Sequence, residues 1–404
     1  MRHYSIWILM LCVSLLCVGH GLNGSLVGIR ASAESFDPAV TGVIMSGYSA
    51  GLLLSSFMTP RLVKNVGHVR AFAGLASIVS TAVLLMPLWV DPSFWFVMRF
   101  AAGLCTAGLF IVCESWLSAS STNLNRGRML SIYMIVSYGS LGAGQLLLNV
   151  TDTSGFARFI IVSSLLSLAL VPLILLPAEA PSIEGARPVA LGDIWNASPL
   201  AVIGALAAGL AQSAFFAMGT VFGVTQGLPL VYISLMMAFP LIGVIFSQYP
   251  IGMLSDRFDR RTIIMLLSGL GALVAFATSF TSGFTPVLFI ALITAYGTVS
   301  LPVYSLVIAH ANDHLQKEQV LGGSARLIML YGIGSMLGPV VAGQAMRQFG
   351  GQGFLVMMVV VYGGLAAFAF WRRFRRPEDK RAKGSEAMQV SPVTTPAGAS
   401  SLGD

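Results

Sequence analysis

Charged residues are rare in this chain, and a few of them stand where they could do chemistry. Arg99 and Glu114 lie within one apolar run, where a charge is costly and usually functional. Five more charged residues stand between two other apolar runs: Asp256, Arg257, Asp259, Arg260 and Arg261. Such groups could bind an anion, carry a proton, or form ion pairs that open and close.

Composition indicates which elements must position these side chains. The chain is 56% hydrophobic and 10% charged, with a mean hydropathy of +0.82, whereas soluble domains contain roughly one-quarter charged residues. Continuously apolar runs recur that are long enough to cross a bilayer core of about 30 Å as helices, and they lack the alternation of barrel strands. We therefore predict an all-α integral membrane protein with twelve transmembrane helices. The spans are 5–27, 39–58, 71–90, 94–117, 129–150, 156–177, 199–224, 229–250, 262–282, 286–309, 321–346 and 353–371.

The first apolar run resembles a secretory signal peptide, but we expect an uncleaved helix because eleven further spans follow. Of the 23 Lys and Arg residues, only Arg30, Arg158 and Arg347 fall on the outer face, and Arg99 falls within a span. Cytoplasmic loops collect positive charge. We therefore predict a multi-pass protein of the bacterial inner membrane with both termini in the cytoplasm.

The predicted domains are an N-terminal six-helix half at 1–177, a cytoplasmic linker at 178–198, a C-terminal six-helix half at 199–372 and a disordered cytoplasmic tail at 373–404. The tail begins with a basic cluster that could bind anionic lipid. Topology accounts for the net charge of +7, so no nucleic-acid partner is implied. The four cysteines fall in apolar spans, and their spacing predicts neither a metal site nor a disulfide framework.

Two segments repeat at an offset of about 190 residues. Pro60–Arg70 and Gly252–Arg261 each follow the second span of their half. Tyr138 and Tyr331 each begin a glycine-rich stretch in the fifth span of their half. Such repeats are typical of transporters in which two halves rock around a site near the midplane of the membrane.

The segment after the eighth span resembles a signature of the major facilitator superfamily of secondary transporters, and the resemblance extends over residues 1–375. Gly252, Asp256, Arg257, Arg260 and Arg261 match that pattern, although Asp259 replaces its second glycine. In the first half, Pro60 and Lys64 stand at the Gly and Asp positions. The resemblance implies two pseudo-symmetric six-helix halves and alternating access.

In that family the signature segments form a cytoplasmic latch between the halves, whose contacts break as the cavity opens inward. The resemblance assigns this role to Gly252, Asp256, Arg257, Arg260, Arg261, Arg61, Gly67 and Arg70. Topology alone would explain the arginines, but not Asp256 and the glycine spacing. We add Glu114 at the inner end of the fourth span as a second latch element, with proton carriage as its alternative role.

Arg99 and the glycines after it resemble the fourth-helix pattern of the family. We predict that Arg99 faces the cavity and binds anionic substrate groups or tunes a proton-carrying acid; the alternative is that its side chain extends to the membrane surface. The other candidates for substrate binding or coupling are polar groups in apolar spans, each of which could instead join helices. They are His20, Asn23, Gln145, Gln212 and Tyr304, with Tyr48, Tyr296 and Tyr331 as further aromatic contacts.

The glycines of the fifth span resemble a motif of drug and proton antiporters, but Gln145 replaces the expected proline. No nucleotide-binding loop or catalytic cluster is present, so we expect neither an enzyme nor a cofactor. We predict a monomeric secondary transporter that exports a small organic molecule in exchange for protons, with His20, Glu114 and Glu34 as candidate proton carriers. Proton-coupled uptake of a small organic solute, a non-transporting membrane sensor and a lipid-handling protein are the alternatives.

Overall fold

The computed structural model describes residues 2–120, 126–150, 156–174, 191–281 and 286–375. In these ranges the backbone forms fifteen α-helices and one 3₁₀ turn at Leu147–Asn149, without a strand. The helices are α1 (Arg2–Ala33), α2 (Pro38–Val66), α3 (His68–Leu85), α4 (Pro92–Ser120), α5 (Arg126–Leu146), α6 (Ala157–Leu168), α7 (Leu170–Ile174), α8 (Leu191–Ala197), α9 (Pro199–Thr225), α10 (Leu230–Arg257), α11 (Arg260–Ser279), α12 (Pro286–Ser300), α13 (Val303–Asn312), α14 (Lys317–Phe349) and α15 (Gln352–Arg375).

Twelve segments of the described chain are long and apolar enough to cross a membrane. This confirms the predicted all-α membrane architecture, and each predicted span overlaps one of these segments. The sixth span comprises α6 and α7, and the tenth comprises α12 and α13. In the predicted linker, α8 leads into Ser198, whose side chain accepts a hydrogen bond from Ala201 N at the start of α9. Residues 178–190 of that linker, and the tail after Arg375, lie outside the described residues.

The second and eighth spans extend further than the sequence predicts. α2 has 29 residues and α10 has 28, so each is about 42 Å long and exceeds the bilayer core. The length of an apolar run reflects the thickness of the membrane core and does not indicate where the helix ends. As a correction, Arg61, Asp256 and Arg257 therefore lie on the last turns of helices instead of in loops.

The same helix pairs pack together in both halves. In the first half α1 packs on α5, α2 on α4 and α3 on α6; in the second half α9 packs on α14, α10 on α12 and α11 on α15. Span one pairs with five, two with four, and three with six in both cases. The repeat that the sequence indicates is therefore a repeat of three-dimensional packing.

The halves meet where α1 contacts α9, α2 contacts α14 and α5 contacts α10. We call the end of the bundle that carries Gly67 and Asp259 the terminal side, and the end that carries Pro38 and Phe349 the opposite side. On the opposite side, Gly42 lies against the backbone of Pro339, and Gly343 against that of Pro38, so closely that a Cβ atom at either glycine would collide.

Polar contacts also join the halves on the opposite side. Asn149 Nδ2 donates to Ser234 Oγ over 2.7 Å, and Arg347 Nε lies 3.9 Å from Asp37 Oδ2. This conformation is therefore closed on the opposite side.

The tenth span is interrupted at Leu301 and Pro302, because proline lacks the N–H that would continue the helical hydrogen bonds. The freed carbonyls must find other donors in an apolar environment. Three neighbouring side chains provide them: Ser247 Oγ donates to Thr298 O (2.9 Å), Tyr362 Oη to Ser300 O (3.1 Å) and Gln212 Nε2 to Leu301 O (3.1 Å). The interruption is therefore a stabilised structural element next to the interface between the halves.

Candidate functional site

A cavity of about 170 Å³ lies between the two halves. Both halves contribute to its wall, through α1, α2, α4 and α5 on one side and α9, α10, α14 and Leu301 on the other. Its volume is several times the roughly 30 Å³ that one water occupies in the liquid, so it has room for a small molecule. The polar side chains of the wall are His20, Tyr48, Ser49, Arg99, Tyr138, Gln145, Gln212, Ser213, Tyr331 and Ser335.

Arg99 is the charged residue of this wall, and only 4% of its surface is exposed. Its guanidinium carbon lies 4.7 Å from the centre of the Tyr48 ring, a cation–π contact. Arg99 Nε and Nη1 are buried and have no hydrogen-bond partner in the described chain. The side chain lines the cavity, and its guanidinium has hydrogen-bonding capacity that the described protein does not satisfy.

His20 lies beside the same aromatic ring. Its imidazole stacks on Tyr48 at 5.2 Å between ring centres, and its Nδ1 lies 3.3 Å from the Tyr48 hydroxyl. Phe110 approaches its ring edge-on at 6.5 Å. Tyr48 therefore connects the imidazole with the guanidinium of Arg99.

Gln145 and Gln212 line the cavity and also join helices. Gln145 Nε2 donates to Gly21 O over 2.9 Å, and Ser25 Oγ donates to Gln145 Oε1. Gln212 donates to Leu301 O at the interruption of span ten, and its Oε1 accepts from the Tyr331 hydroxyl over 3.1 Å. Both amides are therefore held in place by the protein.

Two predicted residues lie behind the cavity wall. Asn23 is buried on α1, but His20, Gly21 and Gly24 are the residues of that helix that line the cavity. Tyr304 is buried against the Tyr331 ring, at 4.3 Å between ring centres, and Tyr331 itself lines the cavity. The rotation of a helix about its axis decides which of its residues line the cavity, and an apolar sequence gives little indication of that rotation. Direct ligand contact by Asn23 or Tyr304 is therefore not supported in this conformation.

Sequence reasoning missed Tyr138, Ser49, Ser213 and Ser335. In the sequence, Tyr138 stands out only as a marker of the repeat. The serines are small polar residues in apolar helices, where they are usually satisfied by their own backbone, as Ser213 is by Leu210 O at 3.3 Å. The available signal was the position of Ser335 four residues after Tyr331, on the same face of α14.

The predicted latch residues of the second half form a cluster on the terminal side. Arg260, which is 6% exposed, donates to Asp256 over 2.8 Å and to Asp313 over 3.1 Å. Burial raises the pKa of the Asp313 carboxyl, although the Arg260 guanidinium opposes this shift. Arg260 thus links the end of α10 to the end of span ten. These contacts remain within one half, so a role in joining the halves stays a prediction.

Arg261 extends this cluster towards His314. His314 Nδ1 lies 2.8 Å from His310 O, and its Nε2 lies 3.2 Å from Arg261 Nη2. A carbonyl can only accept and a guanidinium can only donate, so the contacts fit a neutral imidazole that is protonated on Nδ1. Asp259 Oδ1 accepts from Arg261 N and caps α11, which explains why an acid occupies the signature's glycine position. Gly252 lies within α10, with open space around its Cα, and Arg257 is exposed.

The first-half counterpart is built differently. Arg61, Lys64 and Arg70 are exposed, and Arg61 Nη1 donates to Phe57 O of its own helix over 3.2 Å. Gly67 separates α2 from α3 with a φ of 83°, which a residue with a side chain rarely adopts. The stronger ion-pair cluster is therefore that of the second half, as the presence of Asp256 and Lys64 at equivalent positions predicts.

Glu114 is buried in the first half. Its Oε1 accepts a hydrogen bond from the Tyr133 hydroxyl over 2.8 Å, and it does not line the cavity. The nearby thiols Cys12 and Cys113 lie 3.8 Å apart. Its role as a latch element or proton carrier stays a prediction. Glu34, the third candidate carrier, forms an ion pair with Arg30.

Comparisons with known proteins agree with this architecture. A family profile described as Major Facilitator Superfamily matches residues 9–320 and 230–402. An uncharacterized MFS-type transporter of Enterobacter sp. (strain 638) is 26% identical over 360 residues, which cover 88% of this chain and 92% of the relative. The uncharacterized MFS-type transporter YcaD of Escherichia coli O139:H28 is 26% identical over 350 residues, covering 86% and 90%.

Solved structures of transporters share the fold. A bacterial homologue of the human lysosomal transporter Spinster, in an inward-facing and unoccupied conformation, has a TM-score of 0.73 at 16% identity and covers 94% of this chain and 98% of its own. The nucleoside transporter NupG has a TM-score of 0.75 at 14% identity, covering 92% and 100%. At these identities the likeness concerns the fold.

Proposed function

Because this chain belongs to the Major Facilitator Superfamily, we propose that it moves a small organic molecule by alternating access through the cavity between its halves, with coupling to protons. The observation that carries this proposal is the position of the cavity. Its wall is shared by both halves, and the contacts of Asn149 with Ser234 and of Arg347 with Asp37 join the halves on the opposite side. A rocking motion about this cavity would change its access.

We place the terminal side in the cytoplasm, because Arg61, Lys64, Arg70, Arg257 and Arg261 lie there. The present conformation is then closed on the outer side of the membrane. Transport would require the contacts of Gly42 and Gly343 to separate on the opposite side and the terminal ends to approach each other. The cavity is built from a single chain, which supports a monomer in the bacterial inner membrane as the transporting unit.

His20 is the residue that we assign to proton coupling. It lines the cavity, and imidazole is the side chain whose charge changes most readily near neutral pH. The groups that face it are Tyr48 of α2, and Phe110 and Arg99 of α4. A solute bound in the same cavity would interact with any charge on the imidazole, which is the physical basis for coupling.

The direction of coupling depends on whether proton and solute compete or bind together. Export in exchange for protons, the direction that the sequence favours, requires competition. A proton on His20 would add positive charge beside Arg99, and the lining residues include no Asp or Glu. A protonated His20 would therefore repel a cation, whose binding Arg99 already disfavours, and would attract an anion. The cavity's charge supports joint binding and hence proton-coupled uptake, with export as the second candidate.

Alternating access can be tested before any substrate is known. Spin labels would be placed on exposed residues as two pairs, Asn65→Cys with Phe258→Cys on the terminal side and Val90→Cys with Gln348→Cys on the opposite side. The four native cysteines are buried, which limits background labelling. Distances measured by pulsed electron paramagnetic resonance in nanodiscs should change reciprocally between pH 5 and pH 8. Distances that stay constant, or that lengthen together, would contradict alternating access.

A further inference from the structure

We propose that the cavity binds a monovalent organic anion, whose negative group contacts Arg99 and whose body is apolar. This proposal rests on the function proposed above only for its consequence in transport. Binding itself follows from the charge, the free donors and the lining of the cavity, taken in turn.

The first step is the charge of Arg99. The ion pairs found in the described chain do not include Arg99, although this residue is 4% exposed and lies within a membrane span. A buried charge without a counter-ion is unfavourable, because it has lost its hydration without gaining an opposite charge. Tyr48 compensates only in part, through its ring. A bound anion would complete the compensation.

The second step is the hydrogen-bonding chemistry. A guanidinium has donors and no acceptor, and Arg99 Nε and Nη1 have no partner in the described chain. The amides of Gln145 and Gln212 are by contrast already engaged on both their nitrogen and oxygen atoms. Arg99 is therefore the charged group of the wall whose hydrogen-bonding capacity the described protein leaves unsatisfied. Carboxylates and sulfonates accept from such a planar group through two oxygens.

The third step limits the ligand to one negative charge. Arg99 is the only Lys or Arg among the lining residues. A second negative charge would be buried without a partner unless His20 became protonated. A monoanion instead leaves the cavity neutral when His20 is neutral. Dianions should therefore bind weakly at neutral pH and gain affinity as the pH falls.

The fourth step concerns the body of the ligand. Away from Arg99 the wall is largely apolar, with Met45, Leu52, Phe110, Phe216, Leu241 and Leu301. Such a surface stabilises an aromatic or branched aliphatic group by removing it from water. A small inorganic anion would fill only the Arg99 end. The lining thus favours an organic anion over an inorganic one.

The test compares ligands of the same shape and different charge on the purified full-length protein in detergent. Benzenesulfonate is a permanent monoanion, benzenesulfonamide is its neutral counterpart, phenyltrimethylammonium is a cation and benzene-1,3-disulfonate is a dianion. Calorimetry at pH 7.5 should show that benzenesulfonate binds at least tenfold more tightly than each of the other three. Benzoate and hexanoate extend the panel to carboxylates. Equal binding of the sulfonamide, or failure of all three monoanions to bind, would overturn the proposal.

Variants then assign the anion to Arg99. Arg99→Gln should weaken benzenesulfonate binding at least tenfold while leaving the sulfonamide unchanged. Arg158→Gln is the matched control, because Arg158 is also buried in a membrane span but does not line the cavity. Unaltered benzenesulfonate binding by Arg99→Gln would refute the assignment. The comparison of ligands on the unmodified protein decides the anion preference even if Arg99→Gln fails to fold.

The two proposals fail in different ways. Flux of a neutral or cationic solute without anion binding would refute the monoanion and leave the transporter in place. Binding of monoanions through Arg99 without flux in proteoliposomes would keep the binding site and refute transport, in favour of a membrane sensor.

Discussion

Replacing Gly343 by alanine should push the conformational equilibrium away from the state described here. A Cβ atom at this position would lie 3.1 Å from Ala39 Cα and closer still to the carbonyl oxygen of Pro38, and both are backbone atoms of the other half. Backbone atoms cannot rotate away as a side chain can. The opposite side must therefore open slightly, or the helices must shift.

The size of this effect follows from the cost of overpacking. An extra methyl group in a well-packed interface costs about 1–3 kcal/mol, which changes the ratio of two states by roughly 5- to 150-fold. The added methyl clashes in the conformation that is closed on the opposite side, and this clash is relieved when that side opens. We therefore expect Gly343→Ala to shift the equilibrium towards opening on the opposite side by a factor in this range.

The Val90 and Gln348 spin-label pair measures this shift directly. Its long-distance population should rise in Gly343→Ala, and the Asn65 and Phe258 pair should shorten at the same time. Gly74→Ala is the matched control, because Gly74 is also within a helix but has open space where its Cβ would lie. Equal distance distributions for Gly343→Ala and the control would refute the reasoning.

Three further predictions concern stability and conformation. Gln212→Leu should lower the melting temperature by a few degrees, because a backbone carbonyl and a tyrosine hydroxyl each lose a partner at a cost of about 1–3 kcal/mol. The control Ser213→Ala should leave the melting temperature unchanged. Equal melting temperatures for the two variants would contradict this prediction. Burial raises the pKa of Asp313, so the folded state binds its proton more tightly than the unfolded chain, and the stability it contributes falls as the pH rises through the shifted pKa. The melting temperature of Asp313→Asn should therefore lie furthest below that of the unmodified protein at acid pH. A difference in melting temperature that is the same at every pH would exclude this contribution of Asp313. Arg347→Gln should barely change the opposite-side distances, because Arg347 and Asp37 are 62% and 43% exposed and such pairs contribute about 0–1 kcal/mol; a shift as large as that of Gly343→Ala would contradict this.

Much of the fold could be predicted from the sequence because the membrane acts on each span separately. Uncharged apolar runs must be helical in lipid, and the number of spans follows from counting the runs that are long enough to cross the bilayer core. The repeat was visible because Tyr138 and Tyr331 stand at equivalent places in the two halves. The ends of α2 and α10 were predicted too early, since hydropathy stops at the membrane surface while the helical hydrogen bonds continue.

Side chains that line the cavity could be selected from the sequence where burial of a polar group is costly by itself, as for Arg99, His20, Gln145 and Gln212. Contacts between distant parts of the chain were not. Asp313 joins Arg260 across 53 residues, and no local pattern indicates that pair. Spacing along an apolar helix does not indicate how that helix is rotated against its neighbours, so the sequence alone cannot distinguish Asn23, behind the wall, from His20, on it.

Proton movement driven by an anion gradient tests most directly whether the cavity transports a proton and a monovalent anion together. The protein would be reconstituted into liposomes that contain a pH-sensitive dye, with the membrane potential held at zero. An inward gradient of benzenesulfonate, which has no neutral form to diffuse across the membrane, should acidify the interior, and Arg99→Gln should abolish this signal. Alkalinisation of the interior, benzenesulfonate flux without proton movement, or no flux at all would contradict joint transport.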